Sequence, residues 1–407
     1  MSEPPETLLV TVNGNDRPGV SSALFDAVEP FGVDVVDIEQ VVVRGHLTLA
    51  LLLTGWTDRD GLRAAVHAAG RRLDLQVATQ WGHGDNAERR SGRAAVVVIG
   101  APLASRHVAA VTAAVAGEGA NIDRIRRLAR YPVTTVELDV SGADVSALRA
   151  RLATVATEHR VDVAVAPGGL DRRGRRLVVM DVDSTLIQDE VIELIARHAG
   201  TEAEVAAVTE RAMRGELDFE ESLRARVATL AGTPAAVLEE VREQVRLTPG
   251  ARTLVRTLHR LGMTVALVSG GFVEVVEPLA ADLGIRHVRA NRLEVSGGVL
   301  TGRVLGAVVD RAAKASALRE FAAAEGLPLA RTVAVGDGAN DLDMLAAAGL
   351  GVAFNAKPLV RQQADTAVNV PHLDAVLFLL GISREEVEDA DAADGTPTPA
   401  PPVPLRG

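Results

Sequence analysis

The chain has 407 residues, 47% hydrophobic and 24% charged, which excludes disordered and fibrous classes and suits about two to four domains. Cysteine is absent, so disulfides, thiol catalysis, iron–sulfur clusters and cysteine zinc sites are excluded. The net charge of −11 argues against a nucleic-acid partner.

Of 43 basic residues only Lys314 and Lys357 are lysine. Each is therefore a place to ask whether arginine would fail. The acidic start has neither the basic flank nor the apolar run of a signal peptide. No uncharged apolar stretch reaches the ~18 residues of a membrane span. A soluble, cytoplasmic protein without a membrane partner is expected.

In chain order, Leu8–Val12 reads as a strand, and the turn-rich run Asn13–Gly19 leads into a helix from Val20, with Pro18 suited to its start. Strands are predicted over Val33–Val43 and Leu47–Thr54, a helix over Asp58–Arg72 and a strand over Leu73–Thr79. The order βαββαβ is ferredoxin-like. It recurs from Ala94 to Ala166, with landmarks 87 positions apart: Gly32 with Gly119, Asp34 with Asn121, Ile38 with Ile125. These repeats set two modules, 7–82 and 93–167, joined by the polar linker Gly82–Gly92.

A third block, 175–383, alternates apolar strands (Leu177–Met180, Met263–Val268, Thr332–Val335) with helices, the pattern of an α/β doubly wound parallel sheet. Its stretch from about 190 to 246 is too long for a simple crossover and reads as a helical insertion. Residues 384–407 hold six acids and two arginines and then turn proline-rich. That composition predicts a disordered tail.

Four short segments carry chemistry. Asp181 and Asp183, two apart, leave the carboxyl end of an apolar strand, where open α/β sheets place ligands. Two close carboxylates ask for a divalent cation or a shared proton. Ser269-Gly270-Gly271 ends a second strand and offers donors and close backbone approach to an oxyanion. Lys314 is a compact cation able to enter a tight phosphate site. Gly336-Asp337-Gly-Ala-Asn340-Asp341 ends a third strand with two more acids, able to complete an oxygen shell for Mg²⁺. Lys357, before Pro358 in a polar turn, is given no role. No P-loop, dinucleotide fingerprint or nucleophile elbow occurs.

In order and spacing these segments resemble the haloacid dehalogenase superfamily of phosphatases. Within it, Asp181–Glu190, Met213, Phe219, Arg226 and Gly351–Pro358 resemble the phosphoserine phosphatase family. The insertion is then its helical cap. The two repeats resemble ACT domains, small modules that bind amino acids, arranged as in mycobacterial enzymes.

The resemblance implies an enzyme that hydrolyses O-phospho-L-serine with Mg²⁺. Asp181 is the nucleophile and Asp183 the acid and base. Asp181, Asp337 and the Asp183 carbonyl hold the metal. Ser269, the Gly270 amide and Lys314 take the phosphoryl oxygens, while Asn340 and Asp341 orient metal waters and Lys314. Glu190 meets the substrate ammonium and Arg226 its carboxylate; Met213 and Phe219 wall the site. An amino-acid effector, L-serine or another, is expected at Asn15, Asp16 and Gly19 of the first module. The second module lacks that acid, which puts its own ligand site in doubt. A homodimer is expected because such modules commonly pair.

Two alternatives stay open at this point. One is the same chemistry on another phospho-amino acid or a phosphoprotein. The other is an amino-acid sensor whose phosphatase block is vestigial.

Overall fold

The computed structural model describes residues 4–84, 92–169, 174–214 and 216–396. The chain divides into two compact units, 1–89 and 90–407.

The first unit runs β1 (Glu6–Asn15), α1 (Val20–Val28), β2 (Asp34–Val43), β3 (His46–Thr54), α2 (Arg59–Arg72) and β4 (Gln76–His83). Its strands pair antiparallel in the order β2-β3-β1-β4, the ferredoxin-like arrangement. Strand alternation turns Leu8, Val10 and Val12 inward, where they pack with Leu47, Leu49, Leu51 and Leu53 and with Leu24, Leu62 and Val66 of the helices. The other face of β1 carries Leu9, Thr11 and Asn13, all partly exposed.

The second unit opens with the repeat of that order: β5 (Ala94–Gly100), α3 (Ser105–Gly117), β6 (Asn121–Ala129), β7 (Thr134–Ser141), α4 (Val145–His159) and β8 (Asp162–Pro167). The sheet order is β6-β7-β5-β8. Here the central strand, Ala-Ala-Val-Val-Val-Ile-Gly, is buried along its whole length. Val96 and Val98 face the module's own helices. Val97, Ile99 and Ala164 belong to the core of the block that follows.

That block begins with β9 (Leu177–Met180). The helices α5 (Val191–Ala199), α6 (Glu202–Met213), α7 (Phe219–Ala228) and α8 (Val237–Gln244) rise above its carboxyl end. The chain then returns through α9 (Ala251–Arg260), β10 (Thr264–Phe272), α10 (Val273–Asp282), β11 (His287–Ser296), β12 (Val299–Leu305), α11 (Arg311–Ala324) and β13 (Thr332–Gly336). It closes with α12 (Leu342–Ala347), β14 (Leu350–Phe354), α13 (Pro358–Gln363), β15 (Thr366–Val368), α14 (Val376–Leu379) and α15 (Arg384–Ala393).

The seven strands lie in the order β12-β11-β10-β9-β13-β14-β15. All pairs are parallel except β11 with β12. The strands β9, β10 and β13 are apolar and covered on both faces, as a parallel sheet requires. The antiparallel edge hairpin is an addition to the fold expected from sequence, since its strands are mixed in polarity.

The second module joins this sheet at its far edge. The Thr366 hydroxyl on β15 donates to the Val163 carbonyl on β8 (2.9 Å), and Asn369 donates from its backbone and side-chain nitrogens to Asp162 at 2.7 and 2.6 Å. Arg149 on α4 pairs with Asp365 at 2.8 Å.

The expectation of a disordered tail from 384 is corrected: its first part is helix α15. Ser383 caps it and Glu386 reciprocates, completing a capping box. Asp391, 0% exposed, anchors it on α9 by accepting from Arg256 (2.9 and 2.6 Å) and Arg260 (2.5 Å). The proline-rich part, 397–407, lies outside the described residues.

Candidate active site

The carboxyl ends of β9, β10, β13 and β14 meet the cap helices around one cavity of about 440 Å³, which Asp181, Asp183, Glu190, Phe219, Arg226, Gly270, Asp337, Asn340 and Lys357 all line. Asp181 directly follows β9, and its amide donates to Val335 on β13 at 2.9 Å. Its Oδ1 accepts from the Val182 amide (2.8 Å) and pairs with the Lys314 ammonium (2.8 Å). Its Oδ2 carries no hydrogen bond among the described residues.

Beyond Asp181 the chain turns sharply: Ser184 has φ 54°, a left-handed conformation rarely adopted by a serine and costing ~1 kcal/mol or more. This turn aims Asp183 into the same cavity. Asp183 Oδ1 accepts from the Val191 amide (2.8 Å), and Oδ2 from the Ser269 hydroxyl (3.1 Å). Ser269 is itself fixed by the Gly271 amide at 2.7 Å. A side chain at Gly271 would lie 2.8 Å from Asp183 Oδ2, and one at Gly270 would lie 3.1 Å from Phe219 of the cap. The two glycines therefore let carboxylate, hydroxyl and cap close together.

Lys314, on α11 and 0% exposed, reaches Asp181 and, at 2.7 Å, Asp341 Oδ1. Asp341 Oδ2 accepts from the Gly338 amide (2.9 Å), so both of its oxygens are engaged. Asp337 Oδ1 accepts from the Thr185 hydroxyl at 3.0 Å. One oxygen each from Asp181, Asp337 and Asp341 lie within 4.8 Å of one another. An all-carboxylate set of this size fits a hard divalent cation such as Mg²⁺.

The electrostatics agree with that need. Burial, then the Asp341 charge, raises the Asp181 carboxyl well above its usual range, and the same two causes push Asp337 up to about 6. Burial alone would lower the Lys314 ammonium, but Asp181 and Asp341 outweigh it and hold it charged. Burial raises Asp183 against the hydrogen bonds of Val191 and Ser269.

On the cap side, the Ser184 hydroxyl donates to Glu190 at 2.7 Å. Burial and the Asp183 charge push Glu190 up to about 7. Arg226, in the last turn of α7, donates only to the Ser222 carbonyl of its own helix, at 3.4 Å. Its guanidinium thus makes no ion pair among the described residues.

The sequence-predicted residues of the phosphatase block converge here, save one. Met213 ends α6, but its side chain lies outside the described residues. Ser269 and Lys314 are fully buried, Ser269 against Asp183 and Lys314 between Asp181 and Asp341. Asn15, Asp16 and Gly19 belong to the first unit, at the end of β1 and on the loop from β1 to α1. There the Asp16 amide donates to Gly45 (2.8 Å) and Gly19 has φ 90°. A hollow of about 360 Å³ on that module lies elsewhere, over Leu9, Ile38, Leu52 and Trp81.

Three residues that sequence reasoning passed over support the site. Thr185 holds Asp337. Asn291, buried on β11, donates to the Gly270 carbonyl (2.8 Å) and accepts from the Val309 amide (2.8 Å). A lone asparagine within an otherwise strand-like run was the available signal. Lys357 lines the cavity; its sequence signals were its rarity and its place in the Gly351–Pro358 segment.

Comparison with known proteins agrees with this geometry. Residues 178–346 match the haloacid dehalogenase-like hydrolase family, and 6–80 and 93–166 each match an ACT domain family. The chain is 60% identical over 387 residues to a phosphoserine phosphatase of Streptomyces coelicolor, covering 95% of this chain and 94% of that protein. It is 51% identical over 397 residues to a phosphoserine phosphatase of Mycobacterium tuberculosis, covering 95% and 96%. The crystal structure of a probable phosphoserine phosphatase from Vibrio cholerae superposes with a TM-score of 0.56 at 38% identity, covering 74% of this chain and 88% of that one. With two ACT modules, a haloacid dehalogenase-type sheet and full-length relatives of this identity, the chain belongs to the phosphoserine phosphatase family.

Proposed function

We propose that this cavity hydrolyses O-phospho-L-serine to L-serine and phosphate, the last step of serine biosynthesis. The observation that carries the reading is the unequal treatment of two neighbouring acids. Asp181 keeps one oxygen free beside Lys314, whereas Asp183 has both oxygens held, by the Val191 amide and the Ser269 hydroxyl.

Asp181 Oδ2 attacks phosphorus and the bond from phosphorus to the serine oxygen breaks, while Asp183 delivers its proton to that oxygen. Asp183, now a carboxylate, takes a proton from water as the water attacks the aspartyl-phosphate. The bond from phosphorus to Asp181 breaks and the carboxylate returns. Asp181 and Asp337, with the Asp183 carbonyl, would hold Mg²⁺, which supplies positive charge between a carboxylate and a phosphate that otherwise repel. Lys314 adds a fixed charge next to the nucleophile, Ser269 keeps Asp183 aimed, and Asn340 and the Gly270 amide face the phosphoryl oxygens.

Across the cavity, Glu190 ionises fully when the substrate ammonium reaches it, and Arg226 offers a free fork to the carboxylate. The Phe219 ring against Gly270 excludes water.

Phosphate release from a panel of phospho-amino acids, with and without Mg²⁺, tests the reading. Asp181→Asn should lower kcat by about 10⁴-fold or more with an unchanged circular dichroism spectrum; retained turnover removes the nucleophile assignment. Arg226→Ala should cost phosphoserine about 100-fold in kcat/KM and p-nitrophenyl phosphate little. Equal losses would remove its carboxylate role.

The reading extends to a homodimer paired through the first module. Its edge strand β2 is exposed along its whole length and shows Val35, Val36, Ile38, Val41, Val42 and Val43 to solvent. Sedimentation of the full chain checks it. Added serine, tested on the parent and on Gly19→Ala, checks the effector role of that module.

A further inference from the structure

We propose that Lys357, the second of the chain's two lysines, recruits the phosphate group at the mouth of the active site. This rests on the phosphatase reading above and assigns it one more residue.

The backbone that carries Lys357 is fixed. β14 ends at Phe354, and the Asn355 amide donates to Val368 on β15 at 2.9 Å. Asn355 itself takes φ 46°, and the next residue, Ala356, is buried. Pro358 then confines Lys357 to an extended conformation, φ −62° and ψ 154°. Its carbonyl accepts from the amides of Val360 (3.0 Å) and Arg361 (3.1 Å). The chain thus presents one side chain at a set place on the rim.

Nothing local uses the charge it presents. Lys357 is the residue before the first turn of α13, where a side-chain acceptor is favoured and a cation is not, and it makes no cap hydrogen bond. Its ammonium forms no ion pair among the described residues. It is exposed, yet it lines the cavity that holds Asp181, Asp183, Glu190, Asp218 and Asp337. A phosphate dianion entering there meets five carboxylates. Apart from Lys357, the only cation lining this cavity among the described residues is Arg226, on the cap.

The sheet order assigns Lys357 to the phosphate end. β14 lies beside β13, with Ala353 opposite Gly336. The turn after β14 therefore stands next to the Asp337–Asn340 loop rather than under α7. In a chain where 41 of 43 basic residues are arginine, a compact ammonium at this place suits a group that must admit and release phosphate without holding it in a bidentate fork.

The test compares Lys357→Ala, Lys357→Glu and Lys357→Arg with the parent on two substrates, O-phosphoserine and O-phosphoethanolamine. The second keeps the phosphate and the ammonium but lacks the carboxylate. Lys357→Ala should lower kcat/KM by about tenfold on both substrates, mainly through KM. It should weaken inhibition by inorganic phosphate several-fold, and both effects should shrink in 0.5 M salt as screening requires. Lys357→Glu should lose more, and Lys357→Arg should recover most of kcat/KM.

A loss confined to phosphoserine, a kcat/KM within twofold of the parent on both substrates, or unchanged phosphate inhibition overturns the proposal. A parent that hydrolyses p-nitrophenyl phosphate but not phosphoserine would overturn the substrate reading instead. The variants could still be compared on p-nitrophenyl phosphate and on phosphate inhibition.

Discussion

Counted back from Gly14 and Gly100, the two ACT modules place matching residues on the outer faces of their central strands. The first has Leu9, Thr11 and Asn13, partly exposed; the second has Ala95, Val97 and Ile99, all buried. Both modules pack their helices on the inner face in the same way. The difference lies in what covers the other side. In the second module Val97 and Ile99 share a core with the catalytic sheet, and Asp162 and Asp365 tie the two together. One fold thus serves as a self-contained unit in one copy and as a wall of the enzyme in the other. The change needs only a strand that reads as a continuous apolar run in place of an alternating one.

The sharpest way to break this comparison is to place one charge at the matching position in each module. Val97→Asp buries an unpaired carboxylate under the catalytic block and should destabilise that unit by about 3–5 kcal/mol. Thr11→Asp, on the partly exposed face, should cost about 1 kcal/mol or less. The chain reports the two units separately, because both tryptophans, Trp56 and Trp81, belong to the first, where they stack edge to face at 4.9 Å. Tryptophan fluorescence should therefore keep its transition in Val97→Asp while thermal loss of phosphatase activity moves sharply down. Equal shifts in both signals would mean the modules are not differently built.

A smaller effect is expected from Asp365→Ala. Its Oδ1 pairs with Arg149 on the second module, and its Oδ2 accepts from the Gly351 amide at 2.8 Å, near the start of β14. Both contacts are half-buried, and their loss should cost about 2 kcal/mol. Denaturant titration followed by circular dichroism measures it. A cost below about 0.5 kcal/mol would mean the seam is not held by this residue.

Much of the site was legible in the sequence because its chemistry is local. Asp181 and Asp183 sit two residues apart at the end of an apolar run, and Asp337 and Asp341 share one turn. What escaped depends on partners distant in the chain. The run from Arg384 reads as a solvated acidic tail until Asp391 finds Arg256 and Arg260, more than 130 positions earlier. The hairpin β11–β12 has no continuous apolar run to announce it, since it forms an edge. Val97 and Ile99 were visible as a strand, but what covers their outer face is a fact of packing. Lys357 lies in the Gly351–Pro358 segment that carries the family resemblance, but that segment gives the lysine no role of its own, and it is the end of β14 that brings it to the cavity.

The last of these effects confines a pH dependence to one unit. In the metal-free protein Glu190 is pushed up to about 7 and Asp337 up to about 6, against ordinary values of 4.5 and 3.8. The folded state therefore keeps protons that the unfolded chain releases. The stability this represents is complete below about pH 4 and is lost as pH rises through 6 and 7. With EDTA present, the melting of the catalytic unit should fall by a few degrees between pH 5 and 8. Added Mg²⁺ opposes this, because a cation held by Asp181, Asp337 and the Asp183 carbonyl favours the ionised forms of the carboxyls around it, so the fall over the same interval should shrink or reverse. The tryptophan transition of the first unit carries no such cluster among its described residues and should hold its place with or without metal. A tryptophan transition that moved with EDTA would show that the metal-sensitive acids and the first module unfold together.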